Sequence, residues 1–178
     1  RAVGGRLQPD GHESTLSEFF SLDDMPIPCP PWYTAMIRDL KNNSIPYFDV
    51  PIMTTSADSF LWPLREAVGS GRIILMSAVA IIQDEQGRVL LGLRSDTHTW
   101  GLPAGLVELG ETPAGTIVRE AYEELQLRIR PTQLMGVFTG PAMFHTYPDG
   151  NQVQLAATLF RAEIVEGTPI PDGAETLA

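Results

Sequence analysis

Arg119, Glu120, Glu123 and Glu124 lie within the stretch 105–127, GLVELGETPAGTIVREAYEELQL, and their types and spacing suit the capture of a divalent cation. At 3.6 residues per turn, Glu120, Glu123 and Glu124 fall at i, i+3 and i+4 on one face of a helix. Three like charges there repel unless something cationic neutralises them. Carboxylate oxygens are hard donors, better matched to magnesium or manganese than to zinc. A cation so held reverses the sign of the local field and accepts phosphate oxygens. The bland alternative is a solvated acidic helix face that binds nothing.

The neighbouring sequence supplies the elements that would position this helix. The apolar run Ile73–Ile82, the polar turn 83–88 and Val89–Leu93 predict a two-stranded hairpin. Trp100-Gly-Leu-Pro-Ala-Gly105 is rich in chain breakers and predicts a loop. Thr112 and Pro113 fit the N-cap and first position of a helix reaching about Leu125. Ile117, Val118, Ala121 and Leu125 supply its buried side, leaving the glutamates pointing away from the core. Pro131 stops any continuation, and 134–139 and 152–163 predict further strands. Residues 58–69 predict a short amphipathic helix ended by Gly69.

The same stretch resembles the Nudix box: Gly, five residues, Glu, seven residues, then Arg-Glu-apolar-any-Glu-Glu-any-Gly-apolar. Gly105, Glu111, Arg119, Glu120, Ala121, Glu123, Glu124 and Leu127 stand in register, and the departure is Gln126 where the family has glycine. Gln126 either takes a left-handed backbone at a cost of roughly 1 kcal/mol or lets the helix end differently. The resemblance implies an α+β fold, a Nudix-like α/β/α sandwich with a mixed β-sheet and a catalytic loop-helix-loop. It implies a pyrophosphohydrolase that uses Mg (or Mn) to split the diphosphate linkage of a nucleoside diphosphate joined to another moiety. ADP-ribose or a nucleotide sugar is favoured and a nucleoside triphosphate comes next. The rival is a catalytically silent nucleotide-sensing or structural module of the same fold.

The resemblance also distributes roles. Glu120, Glu123 and Glu124 become metal ligands, with the backbone carbonyl of Ala104 as a further one. Glu120 and Glu175 are both candidates for the general base. Arg119 pairs with the box glutamates, Glu111 among them, and holds them in place. For substrate, Arg94 at a strand end is placed to reach a phosphate. Trp100, Phe144 and Tyr147 are aromatic candidates for a pocket wall or for stacking on a base. His145 in the same loop is a weaker candidate, since a lone histidine more often completes a hydrogen-bond network.

Composition excludes several classes. The 178 residues carry a net charge of −10, are 43% apolar and 19% charged, and have a pI near 4.6. That acidity argues against nonspecific nucleic-acid binding and against anionic membranes, which need clustered Lys and Arg. A nucleotide-type small molecule remains compatible. The single cysteine, Cys29, cannot form an internal disulfide, and no apolar run approaches the roughly 20 residues of a membrane helix, so a cytoplasmic protein is expected.

The chain ends carry a second pattern. Gly5-Arg-Leu-Gln-Pro-Asp-Gly-His-Glu-Ser14 matches Gly167-Thr-Pro-Ile-Pro-Asp-Gly-Ala-Glu-Thr176 at Gly, Pro, Asp, Gly, Glu and a hydroxyl residue, about one domain length apart. In the family such a segment precedes an aromatic strand and a C-terminal helix, and the first copy continues that way through Phe19-Phe20 and a helix expected over 31–40. Residues 1–57 thus resemble the tail of one Nudix domain, and 58–178 a second one lacking its own C-terminal strand and helix. A tandem parent follows, or a permuted arrangement with self-association or segment exchange through 1–57.

Overall fold

The computed structural model describes Phe20, Ser21, Asp23, Asp24, Tyr33, Met36 and residues 59–178. The chain divides into two compact units, Arg1–Tyr47 and Phe48–Ala178, and every element below belongs to the second. Tyr33 and Met36 are helical, within the span expected over 31–40. The other residues of 31–40, Cys29, Phe19 and the first copy of the repeat lie outside the described residues.

The second unit opens with helix α1, Leu61–Val68, which Gly69 ends with a left-handed φ of 67°. Arg65 is buried beneath it. Its guanidinium donates to the carbonyls of Gly69 and Gly71 at 3.1 and 2.8 Å and to that of Gln152 at 2.8 Å, tying the helix end to the sheet. The sheet itself is built on β1 (Ile73–Ile82) and the long β7 (Gln152–Glu166), which run parallel from Ile73 beside Val153 to Ile82 beside Ala162. Their β-branched and apolar content suits a strand buried on both faces. β4 (Ala104–Leu106) adds antiparallel to β1. β5 (Arg128–Phe138) and β6 (Phe144–Thr146) pair antiparallel with the other side of β7. The result is a mixed sheet in the order β4-β1-β7-β5 with β6 beside β7.

Helix α2, Pro113–Leu125, is started by Thr112, whose side chain accepts from the Gly115 N–H at 3.1 Å, with Pro113 in its first turn. Its Ala114, Ile117, Ala121 and Leu125 pack on Ala78, Ala80 and Ile82 of β1 and on Phe160 of β7. The small alanines on both elements let the helix approach the sheet closely. Full burial of side chains such as Ile117 or Phe160 stabilises the domain by about 1.5–3 kcal/mol each. Gln126 does take the left-handed conformation, φ 56° and ψ 28°, at the helix end.

Several expectations need correction. The hairpin after β1 survives as a bridge between Gln83 and Val89, whereas β2 (Gly92–Leu93) pairs with β3 (Trp100–Gly101) in a separate ribbon. The breaker-rich 100–105 region is therefore two short strands. Pro131 does not stand outside a strand but within β5, at a register shift on this edge strand, where its missing N–H costs no ladder bond. β7 runs three residues past the expected 152–163. The last residues of the chain run along β2: Leu93 donates to the Ala178 carbonyl and Leu177 to the Leu93 carbonyl, each at 2.8 Å. No helix among the described residues is long and apolar enough to cross a membrane.

Candidate functional site

Two of the three box carboxylates of α2, Glu120 and Glu124, do not project into solvent as the amphipathic pattern predicts. Glu124 is only 8% exposed and the Glu120 side chain 13%. Two other segments cover that face. β4 passes so close that a Cβ on Gly105 would collide with the Glu120 carboxylate, so any larger residue there would have to push that side chain out of place. The turn 170–176 docks on the C-terminal end of the helix, its Ile170 and Asp172 N–H groups donating to the Leu125 and Glu124 carbonyls at 2.9 Å each. Those carbonyls are among the ones a helix end leaves without partners.

Arg119 organises the acidic face. Its Nε donates to Glu111 at 2.9 Å, and Nη1 donates to Glu120 and to Glu123 at 2.8 Å each. Nη2 reaches the Leu106 carbonyl at 3.2 Å, fastening β4 to the helix. Burial alone would lower the proton affinity of Arg119, but Glu111, Glu120 and Glu123 raise it above the usual arginine range, so it is permanently charged. Burial likewise pushes Glu111 up, yet hydrogen bonds from Arg119, from Thr116 at 2.7 Å and from the Glu108 N–H outweigh it and hold Glu111 below the usual range. Glu111 is thus an ionised anchor for the arginine.

Glu120 and Glu124 behave oppositely. Desolvation is the main cause that pushes each to about 7; Glu123 and Glu175 add to it at Glu120, and Glu120 and Glu175 at Glu124. Arg119 offsets part of the shift at Glu120, Arg94 part at Glu124. The site is short of positive charge near neutral pH.

Glu175 arrives by a different route. The Asp172 carboxylate accepts from the N–H groups of Ala174, Glu175 and Thr176 at 3.0, 3.1 and 2.9 Å, and these bonds hold it below the usual carboxylate range. Ser95 donates to the Glu175 carbonyl at 2.9 Å. The turn is therefore fixed at both ends, and Glu175 lines the same cavity of about 350 Å³ as Glu120, Glu108, Ala104 and Gly105. Arg94 lines it too. Its guanidinium forms a two-pronged pair with Asp96 at 2.9 and 2.8 Å, which raises Arg94 and lowers Asp96 to about 2.

The Nudix domain family matches residues 74–178, more than half of the chain. The chain belongs to the Nudix family. It is 40% identical over 63 residues to a MutT-like protein of Streptomyces ambofaciens, covering 35% of this chain and 41% of that one. It is 45% identical over 58 residues to the CMP-5'-(N-acetyl-N-hydroxy-3-aminopropyl)phosphonate hydrolase of Streptomyces rubellomurinus, covering 30% of this chain and 28% of that one. The chain thus spans less than half the length of these curated relatives. The MutT Nudix hydrolase of Burkholderia pseudomallei superposes with a TM-score of 0.50 at 24% identity, over 60% of this chain and 80% of its own. That likeness is one of fold.

The site residues expected from the sequence are not all brought together. Glu120, Glu175, Arg94, Tyr147 and the Ala104 backbone line one cavity. Glu124 lies next to it, in a narrow cleft shared with Arg94 and Thr176. Glu123 is exposed and tied to Arg119. Trp100 and Phe144 do not line the cavity. Trp100 is 59% exposed on the β2–β3 ribbon, and Phe144 carries the Arg72 guanidinium 4.1 Å above its ring. His145 packs edge-on against Tyr147 with ring centroids 4.6 Å apart. The spacing arguments missed Ser77, Val79, Leu155 and Ala157, which reach the cavity from β1 and β7. Strand alternation signals such positions only once the pairing of the two strands is known.

Nudix proteins generally use divalent metal ions. Among the described residues no three acidic, histidine or cysteine side chains converge tightly enough to hold an ion as they stand. The donor chemistry nevertheless fits one, because Glu120 and Glu124 are buried, hard-oxygen groups whose mutual repulsion a cation would relieve.

Proposed function

We propose that the unit containing the Nudix box hydrolyses the diphosphate linkage of a nucleoside diphosphate joined to a second moiety, ADP-ribose or a nucleotide sugar ahead of a nucleoside triphosphate. The observation that carries this reading is the meeting of Glu120 and Glu175 with Arg94 in one cavity beside the buried Glu124. The names of the relatives, a hydrolase of a CMP-linked phosphonate among them, support the substrate class.

In this reading Glu120, Glu124, Glu123 and the Ala104 carbonyl would hold Mg²⁺ (or Mn²⁺), which would supply charge neutralisation at the diphosphate and acidification of a water. Arg119 keeps Glu120 and Glu123 oriented through its anchor on Glu111. Arg94 offers a cation to a phosphate oxygen. Glu120 or Glu175 takes a proton from the attacking water, whose oxygen bonds to phosphorus as the bridging P–O bond breaks. Two phosphorylated products leave, with no covalent intermediate.

One observation favours a second reading, a silent nucleotide-binding module: Arg119 already engages Glu120 and Glu123. Turnover separates the two. With either metal, the intact protein is expected to hydrolyse at least one of ADP-ribose, nucleotide sugars, dinucleoside polyphosphates and nucleoside triphosphates. Nucleotide binding without any turnover would leave the silent module standing.

We also propose that residues 1–57 are the tail of a further Nudix domain, supported by the repeat of Gly5–Ser14 at Gly167–Thr176, and that the protein works in the cytoplasm, supported by its single cysteine.

A further inference from the structure

The ion pair between Arg94 and Asp96 is more ordered than stability requires. The Arg94 side chain is 43% exposed and that of Asp96 31%, and a pair so open to water contributes little to folding. Its geometry is nevertheless two-pronged: Nε donates to one Asp96 oxygen at 2.9 Å and Nη2 to the other at 2.8 Å. A guanidinium is planar and rigid, so fixing one edge fixes the direction of the next. Nη1 has no hydrogen-bond partner among the described residues. With the second N–H of Nη2 it forms an end edge that suits two oxygens of a phosphate.

The turn that presents Asp96 is built to hold it in place. The Arg94 N–H donates to the Thr99 carbonyl and the His98 N–H to the Arg94 carbonyl, each at 3.0 Å, and the hydroxyls of Thr97 and Thr99 bond at 2.8 Å. His98 takes a left-handed φ of 53°, which a residue with a Cβ adopts only at a cost. Neighbouring segments over-determine the turn: Arg94 bridges to Thr176, and Ser95 donates to the Glu175 carbonyl at 2.9 Å. Asp96 itself is not in the wall of the cavity that Arg94 lines; it borders a separate hollow beside Leu61 and Trp62. Its route to a ligand in that cavity runs through Arg94.

Arg94 also has a competing partner. It shares a narrow cleft with Glu124, whose charge attracts it. A guanidinium released from Asp96 would be drawn to this buried carboxylate, where little water screens the attraction. It would then neutralise a group that the cation needs and turn its fork away from the phosphate. We infer that Asp96 is a positioning residue, holding Arg94 off Glu124 and aiming its free edge into the cavity. This rests on the hydrolase reading above and adds how Arg94 is kept available to the substrate.

The test compares the intact protein with Asp96→Ala, Arg94→Ala and the double variant. In metal-free protein, the NMR signal of the Arg94 Nε–H, identified by its absence from Arg94→Ala, should stand apart from those of free arginine side chains. Asp96→Ala should move it elsewhere. Mg²⁺ alone, followed by calorimetry, should bind Asp96→Ala about tenfold more weakly than wild type, the order of one charge-assisted hydrogen bond. The double variant should bind Mg²⁺ as tightly as Arg94→Ala, because the competitor is gone. ADP with Mg²⁺ should shift the Nη signals of Arg94 and leave its Nε–H bonded to Asp96. With the best substrate of the panel, Asp96→Ala should lower kcat about 10–100-fold and change KM less, as when an orienting partner is lost. Asp96→Asn, which keeps one acceptor oxygen, should fall in between. An Nε–H already at the free-arginine position in the wild type overturns the proposal. So does an equal loss of Mg²⁺ affinity from Asp96→Ala with and without Arg94, or release of the Nε–H from Asp96 by ADP. A wild type that binds no Mg²⁺ overturns both this inference and the hydrolase reading. Turnover that Asp96→Ala leaves unchanged sinks the inference alone, and the expected arginine signals and Mg²⁺ competition without any turnover sink the hydrolase reading alone.

Discussion

The helix α2 and the turn 170–176 both deliver carboxylates to one cavity, by different physics. On α2, Glu120 and Glu124 are buried, crowded by like charges and pushed to about 7. On the turn, Glu175 is exposed, and Asp172 fixes the backbone that carries it through three neighbouring N–H groups. The helix stores electrostatic repulsion in rigid geometry; the turn spends its polar groups on geometry alone. A site that gathers several carboxylates can bury only a few of them, and the remainder come from a segment that stays wet.

The largest expected effect falls on the helix. Glu120→Gln or Glu124→Gln should lower kcat by about 10²–10⁴-fold, the range for loss of a group acting on the reacting atoms. Assays of the best panel substrate with saturating metal check this, and retention of wild-type kcat in either variant would remove the helix from the chemistry. On the turn, Asp172→Ala should lower kcat about 10–100-fold by releasing Glu175, as loss of an orienting partner typically does. If Asp172 works through Glu175, the double variant with Glu175→Gln is no worse than the more damaging single one. Additive losses would show that the turn matters for stability instead.

The two carboxylate sets also differ in pH response. The folded protein binds protons on Glu120 and Glu124 more tightly than the unfolded chain, whose glutamates titrate near 4.5. Metal-free stability should therefore fall as pH rises from about 4.5 to about 7 and level off above. Asp172, held low, contributes in the opposite sense, its stabilisation being lost as pH falls through its folded value. Thermal unfolding against pH checks both limbs, and millimolar Mg²⁺ should restore the loss near neutral pH. A flat metal-free profile between pH 5 and 7 would contradict the buried helix pair.

The smallest effect concerns the helix end. Gln126→Gly should raise stability by up to about 1 kcal/mol, since glycine takes the left-handed backbone without strain. kcat should stay unchanged, because Gln126 is remote from the cavity lining; a lowered Tm would mean that the extra unfolded-state freedom of glycine outweighs the relief.

Much of the helix was legible before any coordinates. Thr112, Pro113 and the apolar positions Ile117, Ala121 and Leu125 follow from capping preference and local periodicity, because a helix repeats over distances that sequence spacing measures directly, whereas the Arg119–Glu111 pairing was implied by the family resemblance. The burial of Glu120 and Glu124 was not legible. Amphipathic patterning assigns a polar face to solvent, and only the approach of β4 at Gly105 and of the docked turn removes the water. The β3 and β4 strands were hidden for a related reason: pieces of two or three residues have no periodicity, and their pairing with β2 and β1 is decided across the fold. Pro131 misled because a breaker inside a strand is tolerated only at an edge, and edge position is a property of the assembled sheet.

By itself, then, the sequence determined the acidic helix, its N-cap and the family to which the chain belongs, since each depends on residues a few positions apart. The tertiary structure alone decided that Glu175 meets Glu120 and that Trp100 and Phe144 stand elsewhere. Those facts depend on which strands lie side by side and which segment covers which face, and such choices are made by packing the whole domain.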